Sequence, residues 1–261
     1  MAILNEIVKN KRRELANLKE KNPFERLRDQ VKRLPKKRPS FFEALKKARG
    51  IAVIAEIKRR SPSKGVLRKD FKPVVIARAY ERAGASALSI LTDETFFGGS
   101  AAIFKKVRAA TKLPLLRKDF TLDVYQVFEA RLIGADAVLL IAEVLSERNL
   151  AELSQAALGL GLDVLFEVHT LRDIEKVLPL KPSMVGINNR DLHTFQVDIG
   201  VTKRLIRHLP RRTLVVSESG IQSQADLLYL KRLGARAALV GESLMREKDP
   251  GATLKALRSG V

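Results

Sequence analysis

Eight short apolar runs follow one another along the chain from residue 51 onward. Each run is rich in aliphatic and β-branched side chains and has the length of a buried strand. The runs are IAVIAEIK (51–58), ALSILTD (87–93), PLLRKDF (114–120), AVLLIAEV (137–144), DVLFEVH (163–169), MVGINNRD (184–191), TLVVSESG (213–220) and AALVGES (237–243). We therefore predict eight strands.

Stretches with helical periodicity separate these runs, and each ends at or near a glycine, as helices often do. The clearest are VVIARAYERAG (74–84), VYQVFEARLIGA (124–135), LAELSQAALGLG (150–161) and ADLLYLKRLGA (225–235). Short buried strands that alternate with helices pair in parallel through right-handed crossovers. Eight such units in about 200 residues predict an α/β fold, the (β/α)8 TIM barrel.

A doubly wound open sheet is the structural alternative. Such a sheet usually carries a glycine fingerprint after its first strand, where a dinucleotide binds. The only G-x-G of this chain, Gly159 and Gly161, falls at the end of a predicted helix. The pattern therefore favours the closed barrel and argues against a dinucleotide site.

Residues 1–49 precede the alternating pattern and predict two or three amphipathic helices. The candidate helices are LNEIVKNKRRELANLKE, PFERLRDQVKR and SFFEALKKA, interrupted by Pro23, Pro35 and Pro39. This extension has too few apolar residues for a core of its own. We expect residues 1–49 to pack over one end of a barrel formed by residues 50–261.

Composition excludes several kinds of functional site, and the distribution of charges argues against secretion and membrane insertion. The chain has no cysteine, which excludes disulfides, thiolate zinc sites and a cysteine nucleophile. His169, His193 and His208 lack the spacing of metal ligands, so we expect no metal. Charges interrupt the N-terminal segment, unlike a secretory signal, and no uncharged run approaches the roughly 18 residues of a membrane span. A cytoplasmic protein is the expectation.

The net charge of +20, from 49 Lys and Arg against 29 Asp and Glu, is unusual. Such a surplus attracts nucleic acid or anionic small molecules. Basic and acidic residues are mixed along the chain, and no aromatic-rich nucleic-acid motif accompanies them. A basic nucleic-acid-binding protein is thus an alternative of a different class, and a charged surface without a nucleic-acid partner is the preferred interpretation.

Polar side chains recur at the predicted carboxyl ends of the strands. They are Glu56, Lys58, Lys118, Glu167, His169, Asn188, Arg190, Ser217, Glu218 and Ser219. A solvated strand end or a structural ion pair explains any one of them, but charges beside buried strands are costly unless they are paired or used. In a barrel these ends converge on one site. Lysines and glutamates gathered there predict proton-transfer groups.

The last two strands add an indication of phosphate binding. SESG (217–220) and VGES (240–243) place Gly220 and Gly241 directly after them, where barrels often bind phosphate through backbone N–H groups. Ordinary turn glycines are the alternative, but their joint occurrence at these two strands favours phosphate. Lys58, followed by the loop SPSKG (61–65), supplies positive charge nearby.

At these residues the chain resembles the indole-3-glycerol-phosphate synthase family of tryptophan biosynthesis, nearly from end to end. The segments that carry the resemblance are ILNEIVKNKRREL, AEIKRRSPSKG, SILTDETFFGGS, PLLRKDF, GADAVLLIA, FEVHT, GINNRDL, SESGI and VGESLM. Any one segment is weak, whereas the combination of E-x-K-x-x-S-P-S, R-K-D-F and N-x-R-D-L is specific.

The resemblance implies a TIM-barrel lyase that needs no metal and no cofactor. Its phosphorylated small-molecule substrate would be 1-(o-carboxyphenylamino)-1-deoxyribulose 5-phosphate, which closes to indole-3-glycerol phosphate with loss of carbon dioxide and water. We expect a monomer or a weak homo-oligomer. The nearest alternative is another phosphate-binding barrel, such as a phosphoribosylanthranilate isomerase; the R-K-D-F lysine and the helical extension argue against it.

The resemblance also implies the catalytic groups. Lys118 matches the general acid that protonates the keto oxygen while the aromatic carbon attacks. Glu167 matches the base that assists the later dehydration. Lys58, held by Glu56, matches a second proton donor that contacts the departing hydroxyl, and the division of the acid roles between the two lysines is open.

Further positions are implied to bind the substrate. Those that contact or orient it are Asn188, Arg190, Glu218 and Ser219. Those that hold its phosphate are Lys58, Ser61, Gly220, Gly241 and Glu242. The resemblance implies that Phe97 and Leu139 lie beside the anthranilate ring. From residue type alone, each would be predicted as an ordinary core residue.

Overall fold

A computed structural model describes residues 3–35 and 40–261. The eight predicted strands are present as β1 Ala52–Ile57, β2 Ala87–Leu91, β3 Leu115–Lys118, β4 Ala137–Ile141, β5 Asp163–Val168, β6 Met184–Asn188, β7 Leu214–Glu218 and β8 Ala237–Val240. Each strand pairs in parallel with the next, and β1 pairs with both β2 and β8. The sheet is therefore closed, and the predicted (β/α)8 barrel is confirmed.

Helices surround the barrel and precede it. They are α1 Ile3–Lys21, α2 Phe24–Lys32, α3 Phe41–Lys46, α4 Pro73–Arg82, α5 Ala101–Ala110, α6 Val124–Ile133, α7 Glu147–Gly159, α8 Leu171–Val177, α9 Gly200–Leu205, α10 Gln224–Arg232, α11 Glu242–Arg246 and α12 Pro250–Arg258. The four predicted barrel helices correspond to α4, α6, α7 and α10. Gly134 ends α6 in the left-handed region at φ 95°, which explains a glycine there. Among these helices, none has the length and apolar character needed to cross a bilayer.

Alternation along the strands directs charged side chains into the barrel. On β1, Val53 and Ile57 pack outward in the cluster shared with the helices, whereas Ala52 and Ile54 face the interior. A period of two continues the interior series to Glu56. The same rule places Lys118 after Leu116, Glu167 after Leu165 and Glu218 after Val216. The barrel interior thus changes from apolar to charged at the carboxyl ends of its strands.

The N-terminal helices contact both ends of the barrel, so the expectation that they pack over one end was wrong. Leu4 and Ile7 of α1 join the interior cluster near the carboxyl ends, with Phe120. At the opposite end, Ser40 Oγ and Phe42 N each lie 3.0 Å from Asp163 Oδ2, at the start of β5. α1 and α3 each have an apolar face, and each helix buries that face against the end of the barrel that it contacts.

Helix α2 links the two ends along the outside of the barrel. Leu27 and Val31 pack with Tyr125 of α6, and the Phe24 and Phe128 rings meet edge to face at 5.0 Å between centroids. The predicted break at Pro39 lies outside the described residues. The division into an extension of residues 1–49 and a barrel of residues 50–261 stays a prediction.

Candidate active site

A cavity of about 750 Å³ opens at the carboxyl ends of the strands. The cavity is lined by every residue that was assigned a role: Glu56, Lys58, Ser61, Phe97, Lys118, Leu139, Glu167, Asn188, Arg190, Glu218, Ser219, Gly220, Gly241 and Glu242. His169 and Ser217, which were also predicted at the strand ends, are not among its lining residues. The lining residues come from all eight strands or the loops that follow them, so barrel closure alone brings them together. Their common location is observed; their roles stay predictions.

Lys118, the last residue of β3, lies between two buried carboxylates. Its Nζ donates to Glu167 Oε2 at 2.9 Å and to Glu218 Oε2 at 3.1 Å. Burial alone lowers the pKa of a lysine, but the charges of Glu167, Glu218 and Glu56 outweigh it and raise the pKa of Lys118. Lys118 therefore rests as an ammonium ion, the form a general acid needs.

The two carboxyl groups on Lys118 differ in their environment. Glu167 Oε1 accepts a further hydrogen bond from Asn188 Nδ2 at 3.1 Å, whereas Glu218 Oε1 has no partner among the residues described. Burial raises the pKa of Glu167, but Lys118 and His169 lower it to about 2. Burial, opposed by Lys118 and assisted by the charge of Glu167, raises the pKa of Glu218 to about 8. At pH 7 the cluster holds an ionised Glu167 and a neutral Glu218.

We expect Glu218→Gln to stabilise the protein increasingly between pH 5 and pH 8. In the unfolded chain a glutamate titrates near pH 4.3, but folding raises the pKa of Glu218 to about 8. The folded state then holds the extra proton, so stability is lost as the pH rises through this window, and glutamine removes the loss. Thermal denaturation should show a gain of roughly 2–8 °C at pH 8 and little at pH 5.

Glu152→Gln, on the exposed face of α7, is the matched control and should not move the melting temperature at either pH. A Glu218→Gln gain of the same size at pH 5 and pH 8 would contradict a raised pKa of Glu218.

A second lysine–glutamate pair lies on β1 and the loop after it. Lys58 Nζ is 2.6 Å from Glu56 Oε2, the pairing that the family resemblance implied. Gly241 packs directly against Glu56, and a Cβ atom at that position would overlap the Glu56 carboxylate. Glycine is therefore required at 241 for close packing as well as for any phosphate contact.

Arg190 orients the neighbouring polar groups. Its Nη2 is 3.1 Å from Glu242 Oε2, and its backbone N donates to Asn188 Oδ1 at 3.0 Å. Asn188 is thereby held with its amide nitrogen on Glu167. Arg246 Nε also lies 3.3 Å from Glu242 Oε1. The Glu242 carboxylate is neutralised by these two arginines, which lessens its repulsion of a bound anion.

The loops after β7 and β8 present free donors at one corner of the cavity. Ser219 and Gly220 both have left-handed backbones, at φ 68° and 80°, and Asn189 Nδ2 holds the Ser219 carbonyl at 3.0 Å. Among the residues described, no acceptor engages the backbone N–H of Gly220 or Gly241. The Ser61 hydroxyl is also buried without a partner there. Several unpaired donors around one space are suited to an oxyanion.

Phe97 and Leu139 lie on the apolar wall of the cavity. The Phe97 ring lies 6.2 Å from the Phe120 ring between centroids, and Leu139 is 1% exposed within the interior cluster. Leu139 is thus both a core residue and part of the cavity wall. Phe120 and Ile141 extend the same wall and were missed, because their type and position indicate only core.

Sequence reasoning also missed a buried clamp beside Lys118. Lys11 Nζ of α1 lies 3.0 Å from both Asp93 Oδ2 and Asp119 Oδ1, and 2.7 Å from Glu14 Oε2. Burial disfavours the charge, but the acids around it raise the pKa of Lys11. This clamp fixes the N-terminal helix to the strand end that carries Lys118. Asp119, which follows Lys118, was visible in the sequence as a charged neighbour. Its partner Lys11, on a distant helix, was not.

In residues 3–35 and 40–261, no three His, Cys, Asp or Glu side chains form a group that could hold a metal ion.

Comparison with known proteins shows the family of the chain. The family model described as indole-3-glycerol phosphate synthase matches residues 4–257, nearly the whole chain. The chain belongs to the indole-3-glycerol phosphate synthase family. The predicted recognition is confirmed, and with it the predicted enzyme class, a carboxy-lyase of tryptophan biosynthesis that acts on a phosphorylated small molecule.

Two relatives named indole-3-glycerol phosphate synthase come from Dehalococcoides mccartyi, strain CBDB1 and strain ATCC BAA-2100. Each is 47% identical over 259 residues, which cover 98% of this chain and 99% of the relative. The match runs through the N-terminal helices as well as the barrel. Membership of the indole-3-glycerol phosphate synthase family therefore rests on the full length.

Solved structures support the architecture alone. KGPDC from Streptococcus mutans has a TM-score of 0.61 at 12% identity and covers 80% of this chain and 96% of its own. The N-acetylmannosamine-6-phosphate 2-epimerase of Clostridium perfringens has a TM-score of 0.59 at 18% identity, over 74% of this chain and 86% of its own. At such low identities these two structures show only that the fold is shared, and they say nothing about the reaction that this chain catalyses.

Proposed function

We propose that this chain closes the pyrrole ring of 1-(o-carboxyphenylamino)-1-deoxyribulose 5-phosphate by acid–base catalysis with its own lysines and glutamates. The observation that carries the proposal is the Lys118 ammonium held between Glu167 and Glu218 on the cavity wall. It places a proton donor and an ionised base within one hydrogen bond of each other. Such groups each contribute about 10²–10⁴-fold to a rate.

Lys118 gives the first proton, to the keto oxygen, while the aromatic carbon that bears the carboxylate attacks the keto carbon. Carbon dioxide then leaves with the electrons returning to the ring, which restores aromaticity. Lys58 gives the second proton, to the new hydroxyl, which departs as water. Glu167 takes one proton from the carbon next to nitrogen, which completes the indole. Its low pKa keeps Glu167 ionised for this step.

The phosphate end of the substrate would lie against the backbone N–H groups of Gly220 and Gly241, which lack other acceptors among the residues described. Lys58 and Ser61 line the approach to that corner. The aromatic ring would lie on Phe97 and Leu139. An anion with carboxylate and phosphate groups is favoured in a partly enclosed cationic site, where charge interactions are stronger than in water.

Indole formation from the purified protein and this substrate, followed by fluorescence after treatment with EDTA, tests the proposal. We expect product at the same rate with and without EDTA, and no turnover of phosphoribosylanthranilate, the substrate of the competing isomerase interpretation. Folded protein that binds the substrate but forms no indole would contradict the acid–base assignment. A monomeric or weakly associated state, a cytoplasmic location and the absence of a cofactor or nucleic-acid partner stay predictions.

A further inference from the structure

His169 lies beside the proposed base but has no part in the steps above. It follows β5 directly, and its ring is buried, with 8% of the side chain exposed. Its Nε2 is 3.4 Å from Glu167 Oε1, and its Nδ1 is 3.4 Å from Glu143 Oε2. Within the described part of the chain, neither ring nitrogen makes a hydrogen bond, so the two carboxylates at 3.4 Å are near neighbours that a small rotation of the ring would bring into hydrogen-bond geometry. An imidazole between two carboxylates is placed to accept a proton on one nitrogen and release one from the other.

The connection continues to the protein surface. Glu143, in the loop after β4, also lies 2.6 Å from His193 Nε2 through its Oε1. Exposure of the side chains rises along this series, from 2% at Glu167 through 24% at Glu143 to 53% at His193. The four side chains therefore form a continuous polar line from the buried base to solvent at the rim.

Other charged groups face this line from three directions. Lys118 contacts Glu167 from β3. Asp173 of α8 accepts from the His169 backbone N at 3.1 Å. From α1, basic side chains share a shallow cavity with Glu143 and His193, namely Lys9, Arg12 and Arg13. These cations keep Glu143 from being an isolated negative charge at the rim.

The proposed reaction has a proton deficit. Two protons are donated to oxygen, one is taken from carbon, and the carboxylate leaves as carbon dioxide without a proton. One proton per turnover must therefore enter from solvent. While the substrate occupies the cavity mouth, the direct route for water to Lys118 is narrowed, so a separate route along side chains is an advantage.

We propose that His169 is a proton relay that conducts this proton from the rim to Glu167. Glu143 delivers a proton to Nδ1, Nε2 releases one to Glu167, and Glu167 passes it to Lys118, which regains the charge lost in ring closure. Glu167 returns to its ionised form for the dehydration, and the proton that it then takes from carbon passes on to Lys58, so that both lysines end the turnover charged. A turn of the His169 ring restores its starting tautomer before the next transfer. This relay depends on the proposed function, because its purpose is to balance that reaction.

His169→Ala and Glu143→Gln test the relay, with His208→Gln as the matched control because His208 is an exposed histidine outside the cavity. We expect His169→Ala to lower kcat about tenfold to a hundredfold, within the range of one proton-transfer group, with KM changed less than about twofold. The loss of kcat in His169→Ala should be greater at pH 9 than at pH 6, because solvent protons are scarcer at pH 9. Added imidazole should restore a large part of kcat.

Glu143→Gln should lower kcat in the same direction without affecting the fold, since Glu143 is partly exposed, and it decides the matter if His169→Ala does not fold. Parent-like kcat and pH profile in both variants would refute the relay, and so would a loss in His169→Ala that imidazole does not restore. A parent protein that forms no indole would refute the proposed function instead, and the relay with it.

Discussion

Lys118→Met is expected to lower kcat by about a hundredfold to ten-thousandfold, the contribution of one general acid. Methionine keeps the length and apolar stem of the side chain but removes the ammonium group that contacts Glu167 and Glu218. No other cation lies within hydrogen-bond distance of both carboxylates among the residues described, so the keto oxygen loses its donor. Steady-state indole fluorescence measures the effect.

The fold should survive this substitution. Without the ammonium group, Glu218 stays neutral and Glu167 takes up a proton rather than remain an unpaired buried charge. Circular dichroism and the melting temperature should therefore stay close to those of the parent. Lys231→Met, on the exposed side of α10, removes the same charge outside the cavity and should leave kcat unchanged. A folded Lys118→Met enzyme with a near-parent rate would overturn the role assigned to Lys118.

The barrel and the inward direction of its charged side chains were predictable because both follow from short-range patterns. A period of two along β1 carries Ala52 and Ile54 on to Glu56, and the same count carries Leu116 on to Lys118. Family resemblance supplied the substrate and the roles. Together these brought all the residues with assigned roles to one cavity, because parallel strands of a barrel all end at one face.

The partners of each charge were not predictable, because they depend on how distant strands close into a barrel. Glu167 and Glu218 lie 49 and 100 positions from Lys118 along the chain. Sequence reasoning placed Glu218 among the substrate contacts, and the structure pairs it with Lys118 as well. The buried ion pairs of Lys11 could not be predicted for the same reason. Lys11 is buried against Asp93 and Asp119 only because α1 packs on the barrel, and the sequence of α1 alone does not indicate this.

Glu167→Gln should separate two stages of the reaction that Lys118→Met slows together. Glutamine retains the shape of the side chain and an oxygen acceptor for Lys118. Loss of the Glu167 charge also removes a cause of the raised pKa of Glu218, which then ionises and becomes the counterion of Lys118. Both the fold and the acid for ring closure are thus preserved, and the base for the dehydration is lost.

In a single turnover we expect Glu167→Gln to release carbon dioxide at nearly the parent rate, while indole fluorescence appears at least about a hundredfold more slowly. The interval between the two signals would correspond to an accumulated hydroxylated intermediate, which acid quenching and mass spectrometry would detect by its extra water. Equal slowing of both signals would place Glu167 at or before ring closure. Its hydrogen bond to Lys118 would then serve to position the acid rather than to hold a base.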